Sequence, residues 1–113
     1  MAKGLRVRWC SVCGEPIVVK EKAWPVYFSQ TGEQISECPH CYVYIRQDNL
    51  LDAPPAHVQA RRVCRFCLAR YENGRRLQGR DCVICRAAPE KALVPYADLA
   101  RIILRNLERM EIA

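Results

Sequence analysis

Cys10-Ser11-Val12-Cys13-Gly14 and Cys38-Pro39-His40-Cys41 bracket the first half of this chain, and Cys64-Arg65-Phe66-Cys67 and Cys82-Val83-Ile84-Cys85 bracket the second. All eight cysteines fall into these four Cys-x-x-Cys pairs. A two-residue gap lets one tight turn aim two thiolates at the same ion, and tetrahedral zinc takes four soft ligands. Two pairs per ion therefore give two four-cysteine sites with no cysteine left over. A single pair would read equally well as a redox motif; four with none spare point to metal. Zinc is the expected ion, two per chain, with an iron centre or disulfides as the alternatives.

Length supports the same reading. A chain of 113 residues makes one small domain or two very small ones. Modules of about 40 to 50 residues bury too little apolar surface to hold themselves together, and metal makes up the deficit. The metal-free form is accordingly expected to be largely unfolded. The opening residues, Met1 to Trp9, contain no apolar export-signal core, and no later run is long enough to span a bilayer. With metal-type cysteine spacing, this predicts a reducing, cytoplasmic setting and no membrane partner.

Charge is unevenly distributed. The formal excess is +6, but four thiolates around a divalent cation carry −2, so two sites lower it to about +2. Residues 1–60 balance six basic against six acidic side chains, and residues 87–113 balance four against four. The whole excess lies in 61–86: Arg61, Arg62, Arg65, Arg70, Arg75, Arg76, Arg80 and Arg86 against Glu72 and Asp81. All eight are arginine, whose planar fork matches phosphate and stacks on bases, whereas lysine would serve for solubility. A merely solvated basic face is the plainer alternative.

Between the cysteines the chain reads as short strands and turns. Ile17-Val18-Val19, Val26-Tyr27-Phe28 and Tyr42-Val43-Tyr44-Ile45 are β-branched or aromatic runs, and Thr31-Gly32 marks a turn. Pro54-Pro55, after Leu50 and Leu51, disfavours helix and central strand alike and marks a module boundary. Asn73-Gly74 is a hairpin turn between Tyr71 and Leu77. From Pro95 the pattern changes: Tyr96, Leu99, Ile103, Leu107 and Met110 recur at three- and four-residue steps. That is an amphipathic helix of about four turns, with Pro95 suited to its start and Asp98 to its first turn.

Each interval between consecutive pairs contains a hairpin signal, and the Pro-Pro break separates the two proposed sites. Local hairpins bring ligands together at low loop-closure cost, which favours sequential pairing over a cross-braced scheme joining first with third and second with fourth. Cys-x-x-Cys-Gly, a long hairpin interval and Cys-Pro-x-Cys resemble the knuckles of the zinc-ribbon superfamily, which rubredoxins also carry. The second half is similar to a ribbon or a treble-clef finger. The resemblance covers roughly residues 8–86 in pattern only, and departs at Tyr42, where many such knuckles carry glycine. It implies a tetrathiolate zinc held by Cys10, Cys13, Cys38 and Cys41, and a second held by Cys64, Cys67, Cys82 and Cys85. The glycine missing at Tyr42 predicts altered knuckle geometry there.

The expected protein is thus a small metal-bound α+β fold: two four-cysteine zinc modules built on β-hairpins, plus a C-terminal amphipathic helix. Residues 1–52 form the ribbon-like module, 53–60 a linker, 61–90 the second module and 95–111 the helix. Four sulfurs fill a zinc shell and leave no open position for catalysis. Only His40 and His57 are present, one inside a knuckle and one after the prolines, with no neighbouring acidic–histidine motif. No enzyme is expected. Rubredoxin-like electron transfer is disfavoured by the missing acidic excess. The expected role is a non-catalytic nucleic-acid-binding or transcription-type accessory factor, with Arg65, Arg70, Arg75, Arg76 and Arg80 on DNA or RNA phosphates and Tyr71 or Phe66 stacking on a base. The alternative is an adaptor or structural subunit meeting an acidic protein surface, or docking a partner through the C-terminal helix.

Overall fold

A computed structural model of the chain describes residues 4–110. The chain divides into two compact units: residues up to Pro55 together with those from Ala100 onward, and Ala56–Leu99. The fold is small α+β with antiparallel strands, two four-cysteine groups and a C-terminal helix. No helix among the described residues is long and apolar enough to cross a membrane.

The first unit is an antiparallel sheet with β1 (Leu5–Cys10), β2 (Pro16–Lys20), β3 (Val26–Phe28), β4 (Gln34–Ile35) and β5 (Leu50–Leu51) in the order β4-β3-β2-β1-β5. Strand β2 has three consecutive β-branched residues, Ile17 to Val19, and Pro16 to Val19 are all buried, as a central strand covered on both faces requires. Side chains alternate across a strand. Register places Arg8 opposite Ile17 and Arg6 opposite Val19, so Ile17 and Val19 share a face with Cys10, where they cluster with Cys38, Ile45 and Leu50. Val7, Trp9 and Val18, on the opposite face, are also buried.

Two expectations for this unit need correction. Leu50 and Leu51 do not merely precede an interruption; they pair with Cys10 and Trp9 and close the sheet beside the first knuckle. Tyr42 to Ile45 is not a strand. Its one ladder contact is the Glu37–Tyr44 bridge, because Tyr42 turns through φ +64° and the carbonyl of Val43 accepts the N–H of Cys38.

The second unit holds β6 (Arg62–Cys64), β7 (Arg70–Glu72), β8 (Arg75–Gln78), the short helices α1 (Val83–Ala87) and α2 (Pro89–Ala92), and β9 (Leu93–Pro95), with sheet order β8-β7-β6-β9. Asn73 (φ +53°) and Gly74 (φ +78°) supply the two left-handed residues that a tight hairpin between β7 and β8 demands. Pro95 does not start the helix. It lies on the edge strand β9, opposite Arg62, where a missing N–H costs no ladder bond. A 3-10 turn over Tyr96–Asp98 leads into α3 (Leu99–Arg109), whose Leu99, Ile103 and Leu107 are fully buried. The apolar stripe of the tail is therefore used within the chain itself.

Three of the four cysteine pairs have one backbone design. The residue after the second cysteine is left-handed: Gly14 (φ +79°), Tyr42 (φ +64°) and Leu68 (φ +66°). Its N–H donates to the carbonyl of the first cysteine, at 2.8, 2.8 and 2.9 Å respectively. The first cysteine's N–H in turn donates to Glu15, Val43 and Ala69. Tyr42 thus forms the same knuckle as glycine would, against the expectation of altered geometry there. A left-handed non-glycine residue costs about 1–2 kcal/mol, while glycine costs about 0.5–1 kcal/mol in chain entropy. Tyr42 is 73% exposed, so little packing is lost on truncation. Tyr42→Gly should leave the metal-loaded protein as stable or up to about 1 kcal/mol more stable, whereas Tyr42→Val should lower its melting temperature clearly. Thermal melts of the two variants compare them directly.

Candidate metal centres

The sulfurs of Cys10, Cys13, Cys38 and Cys41 all lie within 4.8 Å of one another, and so do those of Cys64, Cys67, Cys82 and Cys85. Consecutive pairs share a site, and no disulfide joins them. Within the first group Cys10–Cys41 is 3.7 Å and Cys13–Cys38 is 3.5 Å; within the second Cys64–Cys82, Cys67–Cys85 and Cys82–Cys85 are each 3.7 Å. A tetrahedron with metal–sulfur bonds of ~2.3 Å has edges of about 3.8 Å. Both groups are set for one metal ion each.

The fourth pair is built differently from the three knuckles. Cys82 is the N-cap of α1: its sulfur accepts the N–H of Cys85 at 3.5 Å, and the sulfur of Cys85 accepts the N–H of Cys82 at 3.3 Å. One helical turn thus aims two thiolates inward where the other pairs need a left-handed residue. Across the site, the sulfur of Cys64 accepts the N–H groups of Phe66 and Cys67, both at 3.4 Å. Such donors spread the negative charge of a tetrathiolate into the backbone.

Electrostatics show why the sites need a cation. Burial pushes the thiols of Cys13, Cys38, Cys64 and Cys67 up, that of Cys67 to about 12. The N–H of Cys85 draws Cys82 down to about 7 against its own partial desolvation. At Cys41 desolvation also opposes ionisation, but hydrogen bonds from Val43 and from the neighbouring cysteines outweigh it. Four like charges this close are stable only around a divalent ion.

Tyr71 was expected to stack on a base. It is only 8% exposed, and its hydroxyl donates to the sulfur of Cys85 at 3.2 Å. It is a supporting residue of the second centre, which the cysteine spacing alone does not reveal.

Burial sorts the arginines. Arg70 is 4% exposed and lies over the ring of Tyr96 at 5.5 Å, so it does not face a partner. Arg61 pairs with Glu72 at 3.6 Å, and Arg86 with Asp81 at 3.2 Å, holding the Asp81 carboxyl below its ordinary range. Arg65, Arg75, Arg76 and Arg80 are exposed. Arg65 lies over Phe66 at 5.1 Å and reaches the carbonyl of Lys91, while Arg76 reaches that of Gly79. Arg62, not among the five candidates, is also exposed and lines a depression of about 230 Å³ with Tyr71, Asn73 and Leu93. His40 and His57 are exposed and belong to neither cysteine group.

No protein-family model, curated protein or solved structure matches the chain.

Two predictions follow from this geometry. Elemental analysis should find two metal ions per chain, released as pH falls because each bound thiolate stays ionised below its ordinary pKa and must be protonated to leave. Tyr71→Phe removes the hydroxyl donor from Cys85 and should weaken metal retention at the second centre about 10- to 100-fold while sparing the first. Chelator competition, with each centre followed through its own amide resonances, measures that difference.

Proposed function

We propose that this protein is a non-catalytic zinc protein that binds nucleic acid through its second unit. The all-sulfur donor sets and their tetrahedral spacing favour zinc, one ion per centre. Iron would fit the same distances, and metal analysis of the protein as isolated separates the two. A full shell of four sulfurs leaves no coordination position for catalysis. The first unit, with two knuckles across a β-meander, resembles a zinc ribbon. The second, with a knuckle, a hairpin and a helix that begins at the last cysteine pair, resembles a treble-clef finger. Thiolate ligands suit a reducing compartment such as the cytoplasm.

The observation that carries the nucleic-acid reading is β8. All four of its residues are exposed, it is the outer strand of its sheet, and it carries Arg75 and Arg76, with Arg80 just beyond. Such a hairpin can lie along a phosphate backbone, and Arg65 beside Phe66 offers a further charge with a ring. The second reading is an adaptor. Exposed Phe66, Leu77, Val83 and Ile84 in the same unit favour it, because they give an acidic protein surface apolar contact between the arginines.

Salt titration of binding to DNA and RNA decides. Replacing Arg75 and Arg76 together with alanine should weaken binding to all sequences alike and reduce the slope of log affinity against log salt by about 1.5 to 2. Replacing Arg6, which Glu21 and Asp52 already hold, should change little. Absence of binding at low salt, or binding indifferent to Arg75 and Arg76, overturns the reading in favour of the adaptor.

A further inference from the structure

The metal centres and arginines leave two well-exposed aromatic residues of the first unit without a role. Trp24 is 87% exposed and Tyr44 65%. Tyr44 lines a cleft of about 210 Å³ with Tyr27, Ile35, Ile45, Gln34 and Ser36. That volume is below the roughly 300 Å³ at which drug-sized ligand sites begin, so the cleft suits one flat ring rather than an extended ligand.

Its walls are fixed. Ile45 is buried in the core cluster beside the first metal centre, and its N–H donates to the carbonyl of Ser36 at 2.9 Å. The bridge between Glu37 and Tyr44 pins the same segment one residue earlier. Tyr27 and Ile35 are opposite partners on β3 and β4 and pack against that cluster. The Tyr44 ring is thus presented from a backbone tied both to a sheet edge and to a metal-bound core. A stacking surface held this way loses little freedom when a ligand arrives.

We infer that the cleft lined by Tyr27, Tyr44, Gln34 and Ser36 receives one unpaired base of a single-stranded nucleic acid. This deepens the nucleic-acid reading above and rests on it. The phenol rings supply the stacking faces. The Gln34 amide and the Ser36 hydroxyl supply neutral donors and acceptors of the kind a base edge presents. Among the described residues, no carboxylate or guanidinium lines the cleft. A proline-rich peptide would use the rings and offer carbonyl acceptors, but it has few N–H donors for the amide oxygen of Gln34 and the hydroxyl of Ser36, whereas a base edge presents both donors and acceptors. A duplex keeps its bases stacked inside, so only a single strand offers one to the cleft.

The test compares a short single-stranded oligodeoxynucleotide with its abasic counterpart, against the metal-loaded full chain. The intact strand should bind more tightly and shift the amide signals of Ser36, Tyr44 and Ile45. Tyr44→Ala should lower affinity for the intact strand about 5- to 100-fold and leave the abasic strand unchanged, while Tyr44→Phe, which keeps the ring, should retain most of the difference. Replacing Arg75 and Arg76 should weaken both strands. Equal binding of the intact and abasic strands to the unaltered protein overturns the base cleft and leaves the phosphate reading standing. Binding of neither strand removes the nucleic-acid reading and the cleft assignment with it. Shifts at Tyr44 and Ser36 with a proline-rich peptide, and none with the intact strand, also overturn the inference.

Discussion

Four sulfurs gathered within 4.8 Å of one another repel as thiolates and pack poorly as thiols, so each centre is coherent only around a cation. The rest of the fold is arranged to deliver those sulfurs. In the first unit, β1 ends at Cys10 and β5 lies beside it, while Ile17 and Val19 close the space beneath. In the second, Cys64 ends β6 and Cys82 begins α1. Strand ends and helix starts are the places where backbone N–H groups lack partners of their own, and here they turn toward sulfur. Desolvation by the same packing raises the thiols of Cys13, Cys38, Cys64 and Cys67, and that is the deficit a metal ion removes.

The spacing of the cysteines carried the two sites and their sequential grouping because turn geometry is local. Two residues between ligands and one hairpin between pairs leave few alternatives at low loop entropy. What the spacing does not carry is register. Tyr71 supports Cys85 only because β7 pairs with β6 at Arg62 and Val63, and no residue type announces that alignment. Leu50 and Leu51 read as the end of a module until their pairing with Cys10 is known. Tyr42 shows the converse: glycine is preferred after such a knuckle but not required, because the knuckle's hydrogen bonds hold tyrosine in the same left-handed conformation.

The arginine-rich segment shows how far a charge count is from a surface. Residue type put eight arginines in 26 residues, but only six of them are exposed. Arg70 is buried over Tyr96 and Arg61 is half-buried beside Glu72, whereas Arg86 stays exposed although it pairs with Asp81. Arg62 is exposed although it lies opposite the buried Tyr71. Three of the six exposed arginines, Arg75, Arg76 and Arg80, lie on or just beyond β8, where an extended polyanion would find an open strand edge rather than a flat face.

Small metal-bound units relax a constraint that larger cores impose. Where apolar burial alone must balance chain entropy, large aromatic residues are drawn inward, as Trp9 and Tyr96 are here. Where metal–thiolate bonds contribute directly to folding, the remaining rings are not all needed inside. Trp24, Tyr42, Tyr44 and Phe66 stand exposed on such units, each within a few residues of a knuckle or of the strands that frame one. Exposure alone assigns no ligand to a ring. A ring on a metal-stiffened turn, however, keeps its orientation in water, and that is the physical condition for stacking on a flat partner at low entropic cost. Tyr44 meets that condition most fully, because its segment is tied to the sheet edge at Glu37 and to the core through Ile45.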